Sequence, residues 1–202
     1  MTTSNAGSLS LVGGVLALDF TNTASGRETG RPFEHLRLPE DLVTWGEHAG
    51  AINSETAERC RNALLANAPD AEALLHHGFD LRDAIYRIAV AIVRGGTPSE
   101  GDLRKVKETA RRAMAAAELA PAGGGYALTF SDAPPEPAIL GPIAWSAIQL
   151  VGKAPFDRLK QCTGDDCGWL FLDQSKNNSR RWCDMATCGN RTKGKRHRQS
   201  HH

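Results

Sequence analysis

Residues 162–198 read CTGDDCGWLFLDQSKNNSRRWCDMATCGNRTKGKRHR, and the reading of this stretch decides the rest of the chain. Four of the five cysteines lie in it, as the pairs Cys162 and Cys167, then Cys183 and Cys188. Four residues separate the members of each pair, and fifteen separate the pairs. Thiolates are soft ligands, and four of them satisfy a tetrahedral zinc ion at about 2.3 Å each. Two short-spaced pairs with a central span of this length are the usual arithmetic of such a site. Four thiolates leave no open position for water or substrate, so the metal is read as structural.

Other uses of four cysteines fit less well. Two disulfides need an oxidising compartment, whereas Met1 to Ser10 is polar with no basic flank, so an intracellular chain with reduced thiols is expected. A redox dithiol usually has two intervening residues and needs only one pair. The common iron–sulfur motifs place three cysteines close together. Cys60, far from the other four, is read as a small buried hydrophobe.

Charge suggests a partner for this module. Residues 174–202 hold eight cations (Lys176, Arg180, Arg181, Arg191, Lys193, Lys195, Arg196 and Arg198) against Asp184 alone, a formal +7. Residues 1–173 hold sixteen cations against twenty-two acids, a formal −6. The net charge of +1 for the chain hides two regions of opposite sign. Such asymmetry points to a nucleic-acid-binding end on an otherwise acidic domain. A solvated basic tail is the plainer reading, but Arg180 and Arg181 lie between the cysteine pairs, where a metal would hold them.

The segment Ser179-Arg180-Arg181-Trp182-Cys183-Asp184-Met185-Ala186-Thr187-Cys188-Gly189-Asn190-Arg191 resembles the signature of the CGNR zinc-finger family. Cys162 and Cys167-Gly168-Trp169-Leu170-Phe171-Leu172-Asp173 match the first half of that module. Proteins of that family join the finger to an N-terminal domain called ABATE, and are described as bacterial stress-induced transcription regulators. Leu18-Asp19-Phe20-Thr21-Asn22-Thr23 resembles the ABATE signature. The resemblance implies a DNA-binding regulator that responds to stress, with Cys162, Cys167, Cys183 and Cys188 holding zinc. The N-terminal domain would then sense a small-molecule ligand or hold a homodimer.

Outside the module, no apolar run approaches the roughly 20 residues of a membrane span, so a cytoplasmic protein is expected. No G-x-S-x-G or H-E-x-x-H motif is present, and Gly123-Gly124-Gly125 lacks the lysine of a phosphate loop; the chain is read as a non-enzyme. Leu9 to Phe20, broken by Gly13-Gly14, reads as a hairpin or bent strand. Asp19, Asn22 and Thr23 then stop it by bonding nearby backbone amides, with Asp19 facing a pocket as the alternative. Residues 24–35, with Arg27, Gly30 and Arg31, read as a polar loop.

Helices follow: one from Pro39, with Leu42, Trp45 and Ala49 on one face and Gly50 as its stop; one over 54–67; and one from Asp70 with the stripe Leu81, Ile85, Ile88, Ile92. Thr97-Pro98 opens another, with Leu103, Val106, Ala110 and Ala113 inward. Tyr126 to Phe130 alternates as a strand, placed beside the N-terminal one. Pro134 to Pro137 reads as a surface connection, and Pro142 opens an apolar helix through Val151.

These elements predict an α+β chain. A mostly helical N-terminal domain with a small β-sheet, residues 1–152, precedes a treble-clef-like four-cysteine zinc module, residues 153–202. In the module, Trp169 to Phe171 form the return strand of a hairpin over the metal. Asp184 caps a final helix that carries Cys188 and runs to about Arg198. Arg180, Arg181, Arg191, Lys195 and Arg198 are the candidate DNA contacts. Asn190 would either bond a base edge or close the turn around the metal. An RNA-binding or protein-interaction module is the alternative, because arginine-rich segments bind RNA as readily.

Overall fold

The structure, a computed structural model, describes residues 6–27, 29, 32–153 and 155–199, without the side chains of 195–199. Gly30 and Arg31, and the side chains of Lys195 and Arg198, lie outside the described residues. The fold is mostly helical with small antiparallel sheets, the expected α+β class.

The chain enters through a 3₁₀ turn (Ala6–Ser8) and an extended stretch, then forms helix α1 (Leu16–Thr21) rather than the expected strand. Ala17, Leu18 and Phe20 are all buried, so the short apolar run packs on several sides and alternation does not govern it. A tight turn at Gly13 delivers the chain to α1. A Cβ on Gly13 would stand 2.7 Å from the Asp19 amide nitrogen, closer than any side chain tolerates. The Asp19 carboxylate accepts a hydrogen bond from the Gly13 N–H at 2.7 Å, so it ties the turn, as its backbone-capping reading expected. Burial raises its pKa, and the amide bonds from Gly13 and Val12 partly offset that. The Ser146 hydroxyl receives the Ala17 N–H at 3.1 Å.

A two-residue ribbon follows, β1 (Ala24–Ser25) against β2 (Phe33–Glu34). Helix α2 (Pro39–His48) begins at its proline as expected, and Gly50 beyond it takes φ +71°. Helix α3 (Ser54–Ala66) is capped by Asn53, and α4 (Ala68–Val93) by Asn67, a little before the predicted Asp70. Helix α5 (Glu100–Met114) is capped by Ser99.

The strand predicted near Tyr126 is β4 (Gly125–Thr129), but it pairs with β3 (Glu118–Ala122) and not with an N-terminal strand. Pro121 disguised β3, because proline is tolerated in a strand only where its missing N–H is not needed. Helix α6 runs Pro135–Lys153, so the supposed surface connection is its first turn and Pro142 lies inside it. Prolines at the start of a helix lose no hydrogen bond, which is why Pro135 and Pro137 open α6 rather than block it.

The main core packs α1 to α6 together. Phe20 and Trp45 meet with ring centroids 5.1 Å apart, and Leu81, Ile85, Ile139, Leu140 and Ile143 fill around them. Each such side chain contributes about 1.5–3 kcal/mol on full burial. Cys60 is buried in this core, as expected. Arg82, buried to 4 % exposure, forms a two-pronged pair with Glu34 at 2.7 and 2.6 Å and bonds Thr23 Oγ1, anchoring β2 to α4.

After α6 a 3₁₀ turn (Phe156–Arg158) leads into β5 (Leu159–Gln161), which pairs antiparallel with β6 (Leu170–Leu172). A second cluster joins this hairpin to the helices: Leu159 and Leu170 are buried against Leu18, Tyr86, Ala89, Val90 and Leu150. A π-helical turn (Met185–Gly189) and helix α7 (Asn190–Gln199) end the described chain. Among the described residues no helix is long and apolar enough to cross a membrane.

Candidate metal centre

The β5–β6 hairpin creates the first half of the site. Cys162 N–H donates to the Trp169 carbonyl at 2.7 Å, and Cys167 N–H donates to the Gly164 carbonyl at 3.1 Å, folding the intervening residues into a knuckle. The Gly164 N–H points at Cys162 Sγ, 3.5 Å away. On the other side the packing is tight, because a Cβ on Gly164 would lie 3.3 Å from Cys188 Sγ.

The second half is the turn at Met185–Gly189. Asp184 caps it, accepting from the Ala186 and Thr187 N–H groups and the Thr187 hydroxyl. Those bonds, the Thr187 hydroxyl first, hold the Asp184 pKa below its ordinary value. The cap was legible in sequence; the π-helical form of the turn was not.

All four sulfurs converge. Cys162, Cys167, Cys183 and Cys188 place their Sγ atoms within 4.8 Å of one another. Cys167 and Cys183 are 3.5 Å apart and Cys183 and Cys188 3.6 Å, and no disulfide is formed. A disulfide would need about 2.05 Å, whereas a tetrahedron with metal–sulfur bonds of about 2.3 Å has edges of about 3.8 Å. The spacing fits a cation held by four thiolates. Electrostatics agree: hydrogen bonds from the Cys167 and Cys183 thiols hold the Cys162 pKa down to about 2. The Cys162 contact in turn pushes Cys167 up to about 12, and Cys183 is raised for the same reason. Cys162, Cys167 and Cys183 cannot all ionise at this spacing unless a positive charge sits among them. The group can hold a metal ion.

A buried carboxylate closes the span between the pairs. Asp173, with 0 % exposure, accepts from Lys160 Nζ at 2.7 Å, Arg180 N–H at 2.7 Å and Ser175 N–H at 2.9 Å. Burial alone would raise its pKa, but these bonds, Lys160 first, outweigh burial and hold it well below the carboxylate range. Lys160 also bonds the Asn178 carbonyl at 2.6 Å.

The candidate contact residues fall in different places. Arg180 is turned inward: its guanidinium lies 4.3 Å from the Phe171 ring centroid and donates to the carbonyls of Trp182, Cys183 and Val12. Arg181 is exposed beside the Trp182 ring, and its carbonyl accepts from Thr163. Arg191 is exposed and lines a cavity of about 230 Å³ together with Asp165, Asp166, Cys167, Cys188 and Thr192. Asn190 donates to the Ala186 carbonyl at 3.2 Å, so of its two readings the turn-closing one has a partner.

Sequence reasoning missed what lies behind the metal centre. Asn22, read as a local strand stop, reaches 148 residues along the chain to Leu170. Its amide donates to the Leu170 carbonyl, and its carbonyl accepts the Leu170 N–H, both at 2.9 Å. Ser25 receives the Trp169 indole N–H at 2.9 Å and contacts His35 Nε2 at 2.8 Å. The Gly26 N–H donates to the Cys167 carbonyl at 2.9 Å, and the Leu172 N–H to the Gly13 carbonyl at 2.8 Å. The one signal in sequence was a polar cluster, Thr21-Asn22-Thr23, directly after an apolar run.

The family comparisons follow this division of labour. A family described as "Putative stress-induced transcription regulator", ABATE, matches residues 14–154, and the CGNR zinc finger matches residues 158–201. Neither is a family of enzymes. No curated protein matches the sequence. The chain belongs to the ABATE family and carries a CGNR zinc finger after that domain.

Proposed function

We propose that this chain is a cytoplasmic, DNA-binding transcription regulator whose C-terminal finger is held together by one zinc ion. Cys162, Cys167, Cys183 and Cys188 would bind it, and its role there is a cross-link between the hairpin and the last helix. The observation that carries the reading is the +7 formal charge of residues 174–202 on a segment organised by four converging thiols. Such a surface neutralises phosphates and gains affinity from released counterions. The contacts are Arg181, Arg191, Lys195 and Arg198. Arg180 leaves the set because its guanidinium braces the loop between the cysteine pairs. The acidic N-terminal domain is the regulatory half, a ligand sensor or a dimer contact.

The test is duplex binding by the zinc-loaded full chain at several salt concentrations. Four phosphate contacts give a slope of log K against log salt of about −3.6, from roughly −0.9 per contact. Arg191→Ala should weaken binding to all sequences alike and flatten the slope by about one unit. Zinc-loaded protein with no duplex affinity at low salt would refute the DNA reading, and single-stranded RNA run in parallel tests the alternative.

A further inference from the structure

We infer that Asn22 of the N-terminal domain is a positioning residue for the finger's metal site, acting through Leu170. The inference rests on the metal reading of the four cysteines given above.

Asn22 is 1 % exposed, and it spends its amide donor and its carbonyl acceptor on the N–H and C=O of one residue, Leu170. That is how a neighbouring strand would bond β6, so a side chain from α1's end acts as the missing partner on the side of β6 away from β5. The Gly13 carbonyl continues the same line two residues on, by accepting the Leu172 N–H. One residue before Leu170, Trp169 is held by Ser25 through its indole, and its carbonyl receives the Cys162 N–H. On the far side of the knuckle the Gly26 N–H holds the Cys167 carbonyl.

Cys167 is therefore held directly, through Gly26, and Cys162 through Trp169 and Leu170, by residues 22–26. Those residues are themselves anchored: Thr23 Oγ1 takes a hydrogen bond from the buried Arg82, and β1 is paired with β2, which carries Glu34. Outer contacts that orient ligands raise metal affinity, because they hold the ligands in place before the ion arrives. Here the orienting contacts come from another part of the chain. The affinity of the finger for its metal is thus linked to the state of the N-terminal domain, and by reciprocity metal loading stabilises the segment around Asn22.

The experiment uses the full chain, with cobalt as spectroscopic probe and zinc affinity measured by competition against a chromogenic chelator. Asn22→Ala should bind zinc about tenfold to a hundredfold more weakly and show altered cobalt d–d bands. Ser25→Ala should show a smaller loss of the same kind. Ile139→Val, in the main core away from β6, serves as control: it should lower the melting temperature and leave zinc affinity unchanged. A merely structural Asn22 would behave like that control, so a folded Asn22→Ala protein with native zinc affinity and native cobalt bands would overturn the inference. Should Asn22→Ala not fold, Ser25→Ala decides alone, and native affinity in it overturns the inference equally. Failure of the native chain to retain zinc would instead overturn the metal reading, and the inference with it.

Discussion

Asp173 shows how much one side chain can organise in a small module. Its two oxygens are shared among Lys160, Ser175 and Arg180. Replacing it with asparagine leaves one oxygen, and turns an amide N–H₂ toward a donor. Asp173→Asn should therefore loosen residues 173–181 and lower the resistance of the metal-loaded finger to urea. The pH dependence of that difference has a definite sign. The native pKa lies below the unfolded value of about 3.9, so the contribution is complete above that pH and is lost as pH falls through the native pKa. The advantage of the native protein over Asp173→Asn should stay constant through the mildly acidic range above pH about 4 and shrink only below it. Urea midpoints for the two proteins across pH test this. An advantage that instead grew on acidification would contradict the assigned direction. At this scale the sequence was uneven. The four cysteines were legible because metal chemistry demands fixed residue types at fixed spacing. Asp173, Arg180 and Asn22 were not, because their partners are largely backbone groups or residues brought together only by the fold, which leave no mark in a sequence.

Among the elements, those with a period were readable and those decided by packing were not. Helices α2 to α4 followed their stripes, whereas α5 keeps Val106, Ala110 and Ala113 inward but begins at Glu100, past Thr97-Pro98, and leaves Leu103 37 % exposed. Helix α1 is six residues long and buried on several sides, so its apolar run carries no period. Strand β3 and the first turn of α6 were hidden by prolines whose missing N–H costs nothing where they sit. The β5–β6 hairpin carries the clearest consequence. It contributes Leu159 and Leu170 to the second cluster, over Leu18, Tyr86, Ala89 and Val90. Cys183→Ser should release the metal and melt the hairpin, and with it about 3–6 kcal/mol of apolar burial at those two leucines. Hydrogen exchange should then rise in α1 and along the Tyr86–Val90 side of α4, while the amides around Trp45 stay protected. Stoichiometric zinc retained in that variant, by metal analysis, would contradict the four-cysteine assignment.

For the whole molecule, the boundary drawn at residue 152 from sequence divides the chain by composition, but the bonds from Gly13, Asn22, Ser25 and Gly26 cross that line. The Arg180 guanidinium reaches back to the Val12 carbonyl in the same region. The stretch at Val12 to Gly14 therefore belongs to both parts. It also covers one rim of a strand whose other rim is taken by β5, the Gly13 carbonyl taking the Leu172 N–H. Uncovered strand rims recruit other chains, and apolar ones do so most readily. Leu170-Phe171-Leu172 is such a sequence. A protein shortened to begin at Val15 should thus keep its cysteines and its helices yet become prone to aggregate on storage. Light scattering of the shortened and full-length proteins at equal concentration would show it, and equal scattering would mean that the rim is guarded from elsewhere. Val12 to Gly14, which hold no cysteine and no charge, would then be what keeps the metal-bearing end from sticking to its own copies.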